Sequence, residues 1–69
     1  MYVVIFRTGG PQRFAWHRSL QMSCHEAQKA CISTRRMGYE AFVAPFDTEL
    51  PDTYVKPPGV GLEAERRPA

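Results

Sequence analysis

Two cysteines, Cys24 and Cys31, and two histidines, His17 and His25, are the residues of this chain best suited to chemistry. A thiolate at Cys24 is favoured if a helix begins there, and His17 could act as its base. Such a nucleophile also needs an orienting carboxylate and oxyanion donors, and none stands at a readable spacing. The cysteines lie seven positions apart. On a helix that is about 10 Å along the axis, beyond the roughly 7 Å between Cα atoms that a disulfide tolerates. The same separation keeps them from ligating one metal ion, and no C-x-x-C or H-x-x-x-H spacing occurs. His25 points about 100° away from Cys24 on a helix, so with His17 they make only a partial metal site. Gly9-Gly10 lacks the Lys-Ser/Thr of a phosphate loop and reads as a turn. The expectation is two reduced cysteines packed in a core, no metal, no cofactor and no enzyme.

Surface recognition is the alternative use of the reactive residue types. His25, Lys29, Ile32 and Arg36 recur at i, i+4, i+7 and i+11, one line along a helix. The bland reading is a solvated basic face. The functional one is a docking ridge, because an apolar residue among cations suits an acidic protein groove better than phosphates. Arg13, Phe14, Trp16 and Arg18 combine arginine with aromatics, the types enriched where protein partners bind most tightly. The same mixture could stack on single-stranded bases, and Trp16 could equally well fill a small core.

These residues depend on a few elements to position them. Tyr2-Val3-Val4-Ile5-Phe6 has no polar alternate, as in a strand covered on both faces. Thr8-Gly9-Gly10-Pro11-Gln12 breaks it, and Arg13–Arg18 alternates as a second strand, predicting a hairpin with a loop of about five residues. Ser23-Cys24-His25-Glu26 fits a capping box, and Gly38 supplies a left-handed residue after Arg35 and Arg36, so a helix is expected from Cys24 to Met37. Cys24, Ala27, Ala30, Cys31, Thr34 and Met37 share its inner face. Tyr39 to Phe46 reads as a third strand ending near Pro45. A right-handed crossover then places the third strand beside the first. The fold class expected is α+β: ββαβ, an antiparallel sheet of order 2-1-3 with one helix on one face. Residues 1–46 form this domain, and residues 47–69 form a Pro-rich extended tail with a disordered end.

The chain has 69 residues, 43% of them hydrophobic and 23% charged, the balance of one small globular domain. A core of this size supplies only roughly 3–5 kcal/mol, which argues against a deep, walled-off pocket. Residues 1–46 carry six basic and two acidic residues, net +4, and residues 47–69 three basic and five acidic, net −2. A basic body with an acidic tail implies an anionic partner, or a tail that folds back. One helix leaves one face of the sheet uncovered, although the first strand is apolar on both faces. A homodimer through this open sheet face, a tail folded over it through Leu50 and Tyr54, or a foreign partner would each cover it. No apolar run approaches the ~20 residues of a membrane span, and no export signal is read at the N-terminus. A cytoplasmic setting with no membrane contact is therefore expected.

Val4-Ile5-Phe6-Arg7-Thr8-Gly9-Gly10, Phe14, Trp16-His17-Arg18-Ser19, Met22, Glu26-Ala27, Met37-Gly38-Tyr39, Leu50-Pro51 and Thr53-Tyr54 resemble a group of small phage and prophage accessory proteins without assigned activity. The resemblance spans residues 2–54 and carries over no catalytic residue. It implies a viral protein in a bacterial cytoplasm that binds and inhibits a host protein, defence systems such as CRISPR effectors among the targets. Gly38-Tyr39-Glu40-Ala41-Phe42-Val43 is also similar to the peptidoglycan-binding sporulation-related repeat, but that repeat's second half is missing. The expected function is thus a non-enzymatic protein-binding module using Arg13, Phe14, Trp16, Arg18, His25, Lys29, Ile32 and Arg36. Nucleic-acid binding through the basic, aromatic hairpin and helix face ranks second, since the net charge of +2 is low for it.

Overall fold

The structure, a computed structural model, describes residues 1–55. Strand β1 (Tyr2–Gly10) is followed by β2 (Arg13–Arg18), helix α1 (Cys24–Arg36) and β3 (Glu40–Pro45). The sheet order is β2-β1-β3 with both pairings antiparallel, the ββαβ arrangement that an apolar first strand requires at the centre.

The hairpin is tighter than its glycines suggested. β1 continues through Gly10, which pairs with Arg13, so only Pro11 and Gln12 connect the strands. Gly9 makes this possible with φ +87°, and a Cβ there would collide with the Arg13 carbonyl oxygen. The glycine therefore belongs to the ladder, where backbone approaches backbone too closely for any side chain. Beyond Arg18 the chain keeps contact with β1. Val4 N donates to Ser19 Oγ at 2.8 Å, Ser19 N donates to the Val4 carbonyl at 2.9 Å, and Tyr2 and Met22 exchange main-chain hydrogen bonds at 2.8 Å. β1 is thus flanked on both sides from Tyr2 to Arg7, while Thr8, Gly9 and Gly10 pair with β2 alone.

Helix α1 begins on the expected capping box. Ser23 Oγ accepts from Glu26 N at 3.2 Å, and Glu26 Oε1 accepts from Ser23 N at 3.4 Å. It ends at Arg36, one residue earlier than expected. Met37 is the C-cap, and Gly38, at φ +98°, donates its N–H to the Arg35 carbonyl at 2.9 Å. Met37 is therefore exposed instead of sharing the buried face.

Helix and sheet enclose Val4, Ala27, Cys31, Ala41 and Val43, with Tyr2, Phe6, Met22 and Ala30 packed at the margin. Small residues on α1 let its axis approach the sheet. The helix lies on β1 and β3. The residues of β2 that face the same way, Arg13, Ala15 and His17, consequently remain exposed.

A second core fills the opposite face: Val3, Ile5, Trp16, Phe42 and Ala44, with Phe14 against it. This is the face that the single helix leaves to another cover, with a homodimer, the tail or a foreign partner as the expected alternatives. Val3 and Ile5 are 0% and Trp16 7% exposed within a single chain. Residues 46–55 cross over this face as an extended strap. Phe46 N donates to the Met1 carbonyl at 3.1 Å, and Thr48 N closes a turn onto the Pro45 carbonyl at 3.0 Å, turning the chain back. Pro51 has no N–H for a ladder and pushes Leu50 towards extended backbone. The strap therefore lies over the sheet without joining it. Of the three possible covers, the tail is the one present, and the homodimer through an open sheet face loses the bare apolar surface that motivated it. Tyr54 carries the cover, whereas Leu50, the other expected anchor, is exposed. The anticipated disordered end concerns residues outside the described ones.

Candidate functional site

The hairpin set and the helix set of candidate residues have different fates. Trp16 is interior: its ring meets Phe42 edge-on with centroids 5.8 Å apart, and its Nε1–H donates to the Thr53 carbonyl at 2.6 Å. Phe14 is half-buried under Tyr54, ring centroids 5.7 Å apart at 71°. Arg18 is exposed but donates through Nη2 to the Thr48 carbonyl. Arg13 is exposed on the opposite face of the sheet. The hairpin therefore does not present Phe14 and Trp16 together as a free aromatic surface. They are the floor on which the strap rests, and stacked bases would find them occupied.

The helix residues stay together. His25, Lys29, Ile32 and Arg36 are all exposed on the side of α1 turned away from Ala27 and Cys31, in a line about 16 Å long. Ile32 is 53% exposed, the one apolar side chain in this row. The only acid of α1, Glu26, is engaged with Ser23 at the N-terminus, so cations dominate the outward face. Basic Arg35 and Arg36 in the last turn also complement the helix dipole, which accounts for part of their presence without any partner.

The chemistry-bearing residues are dispersed. Cys31 lies in the helix-side core, and half-buried Cys24 accepts from Gln28 Nε2 at 3.7 Å. His17 bonds Thr8 Oγ1 at 2.9 Å and stacks on Phe6 at 5.2 Å between centroids. Neither cysteine forms a disulfide, and no group of three or more His, Cys, Asp or Glu gathers at metal-binding range among the described residues. No helix among them is long and apolar enough to cross a membrane.

One residue that composition alone passed over is central to the second face. Arg7 lies on the Trp16 side of β1, paired with Trp16 in the ladder. Its guanidinium sits 3.9 Å from the Tyr54 ring centroid and 5.7 Å from that of Trp16. Nη1 donates to the Tyr54 carbonyl, while Nε is buried with no hydrogen-bond partner. The signal available was period 2: Val3, Ile5 and Arg7 must share a face. No family model, curated protein or solved structure matches the chain.

Proposed function

We propose that this chain is a small protein-binding module without catalytic chemistry of its own, which docks an acidic partner groove along the outer face of α1. The observation that carries this reading is the exposed row of His25, Lys29, Ile32 and Arg36, an apolar side chain set among cations with no acid in the row. A docking face uses the half-exposed isoleucine as its desolvated anchor and the cations for register and steering. The resemblance to phage and prophage accessory proteins supports a bacterial host protein as the partner and inhibition or modulation as the outcome, in the host cytoplasm.

The test is capture from nuclease-treated bacterial lysate by the tagged chain and by a variant carrying Lys29→Glu and Ile32→Glu. Support consists of a stoichiometric protein retained by the wild-type chain and lost from the variant, both folded by circular dichroism. Equal retention by both, or recovery of no protein, rejects the helix face as the docking surface.

A further inference from the structure

We propose that the second face of the sheet is a peptide-binding groove whose resident occupant, the strap of residues 46–55, can be displaced by an extended acidic segment of another protein. This surface is separate from the helix row, and the inference stands independently of it.

The way the strap is held supports this. Beyond the main-chain bonds that Phe46 and Thr48 donate at its start, three side-chain hydrogen bonds join it to the sheet, from Arg18 Nη2 to the Thr48 carbonyl, Trp16 Nε1 to the Thr53 carbonyl and Arg7 Nη1 to the Tyr54 carbonyl. In each, a side chain fixed on the sheet donates and a main-chain oxygen of the strap accepts. Main-chain oxygens are present in every peptide, so these bonds recognise an extended backbone, not the strap's particular residues. The sequence-dependent part is narrow. Tyr54 supplies an aromatic ring between Phe14 and the Arg7 guanidinium, and Asp47, Glu49 and Asp52 give the strap three exposed negative charges and no positive one. The receiving face carries Arg7 and Arg18, with Glu40 across the ladder from Arg7 as its acid. Carbonyls at three positions, one aromatic anchor and a surplus of acids define the class of segment that fits.

The strap is also the part of the described chain most easily lifted. It shares no ladder with β1, β2 or β3. Releasing it uncovers the second core, Val3, Ile5, Trp16, Phe42 and Ala44, together with the partnerless Nε of Arg7, a surface that a competing segment covers again, while the helix-side core stays untouched. Segments held by few contacts open without global unfolding. A competing segment then replaces one set of carbonyls with another.

Two measurements on the full chain decide the matter. In the wild-type protein, hydrogen exchange at the Trp16 indole should show a protection factor at least about a hundredfold below that of the Val4 amide, as expected for local opening. Equal protection at both, with release only by global unfolding, overturns the proposal. In the second, a fluorescein-labelled peptide of sequence Phe46–Val55 is titrated into the chain carrying Tyr54→Ala, whose own strap has lost its anchor. Saturable binding at least about tenfold tighter than to the wild-type chain is expected, with loss when the peptide's tyrosine is replaced by alanine. No saturable binding, or equal affinity for both chains, overturns it. Wild-type dimers whose formation protects Trp16 would name a second copy as the occupant and equally overturn assignment to a foreign segment. Should Tyr54→Ala not fold, the wild-type indole exchange decides alone.

Discussion

The indole Nε1–H of Trp16 donates to the carbonyl of Thr53 across 2.6 Å of space and 37 residues of sequence. That bond joins the hairpin to the strap and determines which surfaces the molecule offers. With it in place, the tryptophan is a core residue, the sheet is covered on both faces, and the outward row on α1 is exposed.

Trp16→Phe isolates this bond. Phenylalanine keeps an aromatic ring against Phe42 but has no donor for Thr53. The hydrogen bond contributes about 1 kcal/mol and the smaller ring leaves some void, so a loss of about 1–3 kcal/mol is expected. A urea titration followed by circular dichroism measures it. Trp16→Ala should cost about 3–5 kcal/mol, comparable with the whole stability of a domain this small, and leave a substantial unfolded fraction.

The two left-handed glycines separate strain from collision. At Gly38 a Cβ meets nothing within 4 Å, so Gly38→Ala bears only the conformational cost, about 1–2 kcal/mol. At Gly9 the Cβ meets the backbone of Arg13 and Phe14 as well. Gly9→Ala should therefore be clearly the more destabilising in parallel thermal melts. Equal melting temperatures would contradict the ladder geometry described for the hairpin.

Arg7 and Tyr54 should behave as one unit. The stacked guanidinium contributes about 0.5–2 kcal/mol through its contact with the ring, and its partnerless Nε offsets part of the hydrogen bond from Nη1. Arg7→Met alone is expected to change stability only modestly, since the stem packing survives. A double-mutant cycle with Tyr54→Leu should return a coupling of about 0.5–2 kcal/mol. Strict additivity would show that the two side chains do not act together.

The helix row should be silent in stability. Lys29→Glu and Ile32→Glu replace exposed residues and should each shift the unfolding free energy by no more than about 0.5 kcal/mol. A larger loss from Ile32→Glu in urea titration would mark it as a packing residue and remove the anchor from the proposed docking face.

Much of this architecture was legible in the sequence because local chemistry and global topology agree. The unbroken apolar run Val3-Val4-Ile5 requires a central strand, Ser23 and Glu26 begin the helix, Gly38 ends it, and right-handed crossover fixes the order. Period 3.6 also placed His25, Lys29, Ile32 and Arg36 on one exposed line. The hairpin half of the candidate surface was not legible. Whether Phe14 and Trp16 face solvent depends on where residues 46–55 run, and a segment held through its own carbonyls carries no side-chain pattern that announces its docking site. Gly9 misled for a related reason: a glycine needed for close backbone approach inside a ladder looks the same as one that ends a strand. Arg7 was hidden because a charge on an apolar face reads as the end of a strand until an aromatic from a distant segment is seen to cover it.

The account rests on the second face being closed by the chain's own strap, and Trp16, the sole tryptophan, reports on it directly. Acrylamide quenching of its fluorescence in the full-length protein, from dilute to concentrated solution, is the most direct measurement. Weak quenching that does not change with protein concentration is the expected result. Quenching like that of a free indole in dilute solution, with protection only as concentration rises, would mean that a second molecule covers the face and would contradict the account.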